Sequence, residues 1–495
     1  MAMRELRAHQ IKAIDHLKAS IRSGKRRPLV CLPTGAGKTL TAAHIVAGAR
    51  AKGNRVCFVV PAIALIDQTV EAFAAEGIYD VGVIQADHPM TDATQPVQVA
   101  SVQTLARRPL PDTDVVIVDE AHQAFKIVFR WMHNKPGILF IGLSATPWTR
   151  GLGKHYDELI VAATTQELIE AGYLSPFRVF APSHPDLSAV RTVAGDYHEE
   201  DLAQAMSDGA LMADIVSTWL KLGEGRQTLC FAVNRSHAKD LQRQFEKAGV
   251  CTGYVDAFTD KFEREEVRKA FEAGAIKVVC NVGVLTTGVD WDVRCLILAR
   301  PTKSEMLFTQ IVGRALRTAP GKPDAIILDH SDTTLRLGFV TDIYHDSLDK
   351  GRMKEGGGER KAKSVPLPKE CSSCSMLKPP KVHKCPHCGF APEKQPDVME
   401  IEGELAQVRG KKEAPTISEK RSFYAQLLWV AEERGKNQSW VLANYKGRFD
   451  VWPRGMDDVQ PEEPTGKTLS WLRSRQIAWA KKKQKAEQQE AKHAA

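Results

Sequence analysis

The sequence predicts a doubled α/β body followed by two small C-terminal modules. Three observations carry this. Two successive sets of short apolar runs, separated by helix-length amphipathic stretches, fill the first 345 residues. Beyond them stand two Cys-x-x-Cys pairs ten residues apart, and then a compact segment rich in tryptophan and basic residues.

The first set of runs includes Pro28–Leu32, Val56–Val60, Val115–Val118 and Ile138–Ile141. The second includes Thr228–Ala232, Lys277–Cys280 and Leu296–Leu298. Short apolar runs of this kind read as parallel strands buried on both faces, and two sets imply two α/β domains. We place these at 1–175 and 176–345, with the join near Tyr173–Pro185, where proline and glycine cluster. A charged, glycine-rich linker follows at 346–368, then a ribbon at 369–392, which the linkers are expected to isolate from the body. A second polar linker spans 393–420. A tryptophan-rich basic helical module covers 421–482, and a tail covers 483–495.

The 495 residues carry a net charge of +8, and composition is globular, with 43% hydrophobic and 26% charged residues. From Gly351 onward there are 28 Lys+Arg against 19 Asp+Glu, so the excess lies in the last third, with five of the nine tryptophans. A basic, aromatic tail on a neutral body fits a polyanion such as nucleic acid; a solvated charged tail is the alternative. No apolar run approaches the ~18 residues a membrane span needs. The N-terminus lacks a signal core, so the cytoplasm of a bacterial or phage-infected cell is expected, with cysteines reduced.

Pro33-Thr34-Gly35-Ala36-Gly37-Lys38-Thr39 follows an apolar run and precedes a helix-like stretch, the context of a phosphate-binding loop. Backbone N–H groups and a helix N-terminus favour phosphate, Lys38 reaches the β- and γ-phosphates, and Thr39 holds Mg²⁺. The general pattern opens on glycine where this chain has Leu32. A second apolar run delivers Asp119 and Glu120, followed by Ala121 and His122. Acids at a strand's C-terminal end suit ligand binding, Asp119 for the metal and Glu120 for the attacking water.

These segments, with Ser144-Ala145-Thr146-Pro147, resemble motifs I, II and III of superfamily-two DEAH-box helicases and translocases. Leu6–Gln10 resembles the adenine-reading segment, Val60-Pro61-Ala62 motif Ia and Ser101–Leu105 motif Ib. Phe231–Arg235 resembles motif IV, Thr286–Asp290 motif V and Gln310–Arg317 motif VI. The resemblance covers residues 1 to about 345 and implies two RecA-like domains with ATP in the cleft between them. It implies that Arg7 and Gln10 read adenine, that Gly288 and Asp290 line the site, and that Arg314 and Arg317 face the γ-phosphate as arginine fingers. Phosphate contact on nucleic acid is the alternative for the two arginines. His122, Ser144, Thr146 and Gln310 would couple the site to movement. Thr104, Arg235, Thr286 and Thr287 would touch the nucleic-acid backbone, each threonine being otherwise a strand-end cap. The form of motif VI is similar to phage and bacterial DNA-remodelling helicases and to type III restriction-enzyme motor subunits. DNA is therefore the expected partner, with RNA remodelling, or a binding adaptor with little motor activity, as alternatives.

Six cysteines scattered through the body read as small hydrophobes. Cys371, Cys374, Cys385 and Cys388 form two knuckles with the spacing of a structural Zn²⁺ site; a redox pair, or His383 or His387 in place of a cysteine, are the competing readings. In the last module, helices are expected around 423–431, Ser439–Tyr445 and Leu469–Ala480. Its tryptophans are core residues, or one of them stacks on a base while Lys446, Arg448, Arg454, Arg473 and Arg475 meet phosphates. A protein partner docking on these C-terminal modules is the other reading.

Overall fold

The computed structural model describes residues 3–85, 88–286, 291–351, 366–392 and 415–476. The chain divides into two compact units, Met1–Lys394 and Gln395–Ala495.

The first unit contains two parallel sheets, one for each set of apolar runs. The first sheet is built from β1 (Pro28–Cys31), β2 (Val56–Val60), β3 (Val81–Ile84), β4 (Val97–Ser101), β5 (Val115–Val118), β6 (Leu139–Ser144) and β7 (Glu158–Val161), in the order β3-β4-β2-β5-β6-β1-β7. After β8 (Phe177–Phe180) comes a two-stranded hairpin, β9 (Thr192–Val193) and β10 (Asp196–Tyr197). The second sheet adds β11 (Thr228–Phe231), β12 (Thr252–Val255), β13 (Val278–Asn281), β14 (Cys295–Leu298) and β15 (Ala325–Asp329), in the order β12-β13-β11-β14-β15-β8.

Helices cover both faces of such sheets, so their strands must be apolar on both sides. All residues of β1, β2, β5, β11, β14 and β15 are buried. Because neighbouring strands run parallel, their C-terminal ends gather along one edge. The adjacent strands β5, β6 and β1 therefore deliver Asp119–Glu120, Ser144 and the phosphate loop side by side. One apolar cluster continues from the first core (Val30, Ile141) through Leu174, Ile311 and Val312 into the second (Leu229, Leu296). The two α/β halves are thus closed on each other.

The ribbon departs from its expected isolation. Its strands β16 (Lys369–Glu370) and β17 (Leu377–Lys378) pair antiparallel, and the turn between them lies against β8. Phe180 bridges Met376, and the Ala181 amide donates to the Ser375 carbonyl at 2.9 Å. The Phe180 ring meets the His387 ring edge-on at 5.1 Å, and Leu377 joins the main apolar cluster. Linker length says nothing about docking, and the buried contact decides it.

The second unit packs helices Ile417–Glu433 and Gln438–Phe449 with a third through residues 466–476. Thr416 and Glu419 cap the first reciprocally, and Gly435, at φ 59°, follows its end. Phe423, Leu427, Val430, Tyr445 and Leu472 form its core. Trp479 lies outside the described residues.

Gly142 in β6 tests how tightly the first half is packed. A Cβ there would stand 2.7 Å from Tyr156 Cε1 and 3.0 Å from Leu29 Cγ, both in buried side chains. Gly142→Ala is expected to lower unfolding free energy by about 1–3 kcal/mol, read from the denaturant midpoint.

Candidate active site

The phosphate loop leaves β1 with Leu32 fully buried beneath it, which explains why this position is apolar instead of glycine. Gly35 and Gly37 have φ of +86° and +82°, a region costly for residues with a Cβ. The helix Lys38–Arg50 starts directly after Gly37. Gln10 braces the loop: its amide donates to the Ala36 and Gly37 carbonyls at 3.2 and 3.1 Å and accepts from the Arg7 amide at 2.8 Å. His9 Nε2 donates to the Ala36 carbonyl at 2.9 Å, and burial holds its pKa below the ordinary value. The Arg7 guanidinium lies 4.9 Å from the centre of the Tyr173 ring, with His9 on the same ring at 5.1 Å.

Asp119 and Glu120 leave β5 on a strained backbone, Glu120 sitting at φ 46°, ψ 45°. Lys38 Nζ meets Glu120 Oε1 at 2.9 Å. Burial alone would depress the Lys38 pKa, but Glu120 and Asp119 outweigh it and hold the ammonium above its usual value. Burial pushes Asp119 up, and the Glu120 charge adds to this against the pull of Lys38. Glu120 is held well below the carboxylate range, because Lys38 and His122 overcome its desolvation. Glu120 Oε2 is buried without a hydrogen-bond donor, with His122 Nδ1 at 3.3 Å. A buried carboxylate that resists ionisation beside an unsatisfied oxygen suits a divalent cation and a water.

From Glu120 a polar chain crosses to the second half. His122 Nδ1 lies 3.0 Å from Ser144 Oγ, which also accepts from the Thr146 amide at 3.0 Å. The Gln310 amide donates to His122 Nε2 and to Thr146 Oγ1, both at 3.1 Å. With Nε2 accepting, the His122 proton sits on Nδ1, between Ser144 and Glu120.

Gln310 belongs to the helix Glu305–Ala315, whose first turn is capped by Ser304. Gly313 of this helix faces the phosphate loop so closely that a Cβ would stand 2.6 Å from Thr34 Cβ. Arg314 is buried, its Nε donates to the Thr286 carbonyl at 2.8 Å, and its charge acts on Lys38. Arg317 lies along the loop, with its Cγ 3.3 Å from where a Gly35 Cβ would be. Its backbone bridges Leu174, and its carbonyl accepts from Ser175 Oγ at 3.1 Å and from Lys322 Nζ at 2.6 Å.

Lys38, Asp119, Glu120, His122, Ser144, Thr146, Gln310, Arg314 and Arg317 therefore meet in one cleft. Thr39 is exposed at the first turn after the loop. Thr287, Gly288 and Asp290 lie outside the described residues. The remaining backbone candidates are engaged within the protein. Thr104 Oγ1 bonds Ser101 Oγ at 3.0 Å, and Thr286 Oγ1 donates to the Gly283 carbonyl at 2.8 Å. Arg235 pairs with Asp256 at 2.7 Å and lies over the exposed Phe258 ring. Two residues were not anticipated. Tyr173 has no local signature, and Lys322, which also donates to the Val293 and Ala315 carbonyls at 2.7 and 2.6 Å, reads as a loop lysine. Burial lowers the Lys322 pKa to about 8.

The four ribbon cysteines place their sulfurs within 4.8 Å of one another. Cys371–Cys388 and Cys374–Cys385 are each 3.7 Å apart. A tetrahedron with Zn–S bonds of about 2.3 Å has an edge of about 3.8 Å, so the spacing fits zinc. In each knuckle an amide donates back to the first cysteine's carbonyl, Ser375 to Cys371 at 2.9 Å and Gly389 to Cys385 at 3.0 Å. His387 packs on Phe180 and stands outside the cluster.

A phosphate loop and an acid pair facing an arginine-bearing helix across two parallel sheets define a two-lobed nucleotide-binding protein. The family described as "Type III restriction enzyme, res subunit" matches residues 3–149, and "Helicase conserved C-terminal domain" matches residues 211–319. Together they span more than half of the chain, which belongs to the superfamily-two helicases. A 51.5 kDa protein of a Lactococcus phage is 28% identical over 90% of this chain and 99% of its own length. A Saccharomyces cerevisiae protein named as the ATP-dependent helicase IRC3 is 29% identical over 66% of this chain; the match spans about half, 51%, of that relative. A solved fragment named as an HsdR subunit of a type I restriction enzyme from Vibrio vulnificus shares the fold, with a TM-score of 0.54 and 21% identity. That match covers 72% of this chain and 68% of the fragment.

Two measurements probe this geometry. Gly313→Ala normally favours a helix, but here it should prise the helix from Thr34, lower ATP turnover about 10- to 100-fold and lower the melting temperature, because Ile311 and Val312 of the same helix are core residues. Purified protein should contain one zinc per chain. Because the ribbon is docked, Cys385→Ser should lower the unfolding midpoint of the second α/β half as well as zinc content, read by metal analysis and thermal melts.

Proposed function

We propose that the chain is an ATP-dependent motor that translocates along or unwinds DNA. The observation that carries this is the polar chain that runs from Glu120, 3.3 Å from His122 Nδ1, through His122 to Gln310, and ties the acid that would activate water to the opposite half. A change at Glu120 is thereby felt across the cleft, which is what converts chemistry into motion.

ATP would take the phosphate loop, and Mg²⁺ at Asp119 and Thr39 would supply charge neutralisation on the phosphate oxygens. Lys38 then exchanges Glu120 for phosphate. Glu120, relieved of its counter-ion, gains basicity and orients the attacking water. Arg314 and Arg317 stabilise charge developing on the transferred group, and only while the halves are closed. Arg7 and Tyr173 are the proposed adenine contacts, with Gln10 setting the loop they flank. Gly288 and Asp290 complete the lining on the second side. Thr104, Arg235, Thr286 and Thr287 are proposed backbone contacts, with Arg235 exchanging Asp256 for phosphate.

DNA is favoured over RNA by the restriction-enzyme names of the matching family and of the structural relative. The phage relative supports action in the cytoplasm of an infected bacterium. Among the described residues no helix is long and apolar enough to cross a membrane.

ATP turnover measured with single-stranded DNA, duplex DNA, forks and RNA tests the reading. Stimulation by DNA is expected, and stimulation by RNA alone would transfer the assignment to RNA. Lys38→Ala should abolish turnover, and Glu120→Gln should bind ATP yet hydrolyse it poorly. Arg317→Ala should lower kcat on the order of 10³-fold with little change in nucleotide affinity. Normal turnover at saturating DNA with a large loss of DNA affinity would instead assign Arg317 to the phosphate backbone.

A further inference from the structure

The C-terminal helical unit separates its tryptophans by burial. Trp429, Trp440 and Trp471 pack against the core, whereas Trp452, just beyond the helix Gln438–Phe449, is 54% exposed. One side of its ring carries the Lys446 ammonium, 4.5 Å from the centroid. An indole left this open contributes little to folding, and its free face can accept another planar ring.

Two further cations of this unit are also held by aromatic rings. The Arg448 guanidinium lies over Phe423 at 4.6 Å and over Trp471 at 5.5 Å. Arg475 lies over the same Trp471 ring at 5.7 Å. It also crosses the helix at Gly447, where a Cβ would stand 2.9 Å from its Nη2. Among the described residues, Lys446, Arg448 and Arg475 form no ion pair with an acid; the ion pair of this unit is Arg421–Asp458. Three long cationic side chains are thus ordered by rings while their charge stays uncompensated by a described carboxylate. Ordering them beforehand removes much of the rotamer entropy that phosphate binding would otherwise cost.

We propose that this unit binds single-stranded nucleic acid, the Trp452 indole stacking on an unpaired base with Lys446 at the adjacent phosphate, and Arg448 and Arg475 taking phosphates farther along the strand. An acidic protein would satisfy the cations but leaves the open indole face without a planar partner. A fully paired duplex offers phosphates but no free base face along its length. The proposal rests on the reading of the chain as a DNA motor and adds a second, separate grip on the strand.

The test uses the full chain and a fluorescently labelled oligothymidylate, with binding read by anisotropy and ATP turnover read in parallel. Trp452→Ala is expected to weaken binding roughly 5- to 100-fold, Trp452→Phe to retain most of it, and both to keep wild-type turnover at saturating DNA. Wild type should lose affinity on a strand of abasic sites, and Trp452→Ala should lose far less. Arg448→Gln with Arg475→Gln should reduce the salt slope by about 1.4, two phosphates at roughly 0.7 each. Unchanged affinity in Trp452→Ala, equal sensitivity of both proteins to abasic sites, or an equal loss on blunt duplex would overturn the proposal. If wild type binds the strand and Trp452→Ala does not, yet no nucleic acid stimulates ATP turnover, the motor reading fails and this site stands. If DNA stimulates turnover and Trp452→Ala binds normally, this site alone fails.

Discussion

Lys38 and Glu120 form the contact on which the site depends. Each is a charge withdrawn from water, and either alone would carry a penalty of several kcal/mol. At 2.9 Å they satisfy each other, so the phosphate loop and the acid-bearing turn are held in register before any ligand arrives. In the proposed reaction the pair would also impose an order: Lys38 would leave only for a better anion, and its departure would turn Glu120 into a base. The parallel sheet makes this possible, since β1 and β5 lie one strand apart with their C-terminal ends together. An antiparallel neighbour would have sent one of the two to the opposite edge.

Closure between the halves rests on residues without side chains. Gly313 against the Thr34 side chain, and Gly35 against the Arg317 side chain, bring backbone onto the facing half with no room for a methyl group. Close-packed contacts of this kind do not yield gradually. Here the halves are fully seated, with Arg314 and Arg317 brought to the loop.

Much of the molecule was legible in its sequence because its signals are local. A buried parallel strand reads as Val115–Val118 does, and a phosphate loop carries its glycines where positive φ is needed. Cysteine spacing marked the four-cysteine cluster in the same way. What escaped depends on distant partners. The motif names Gln10 but not its bonds to the Ala36 and Gly37 carbonyls. Tyr173 lies against Arg7, and Lys322 buries its ammonium among three carbonyls. Neither Tyr173 nor Lys322 has a sequence spacing that marks it as part of the site. The docking of the ribbon escaped for the same reason. The glycine-rich stretch before it, Gly356-Gly357-Gly358, describes a tether, and a tether does not reveal what its end will touch. Burial also divided the tryptophans where composition could only count them.

The position of the ribbon has a consequence for the life of the protein in a crowded cell. β8 is the margin of its sheet, and a sheet margin is a row of unmatched amides and carbonyls that invites pairing with another chain. Here the turn between β16 and β17 occupies the far end of that margin through Phe180 and Ala181. A metal held by the four cysteines would thus act as a solubility device for a domain that contains none of them. In a cell short of zinc, the first symptom would be chains adhering to one another along β8, well before the nucleotide cleft lost any of its parts.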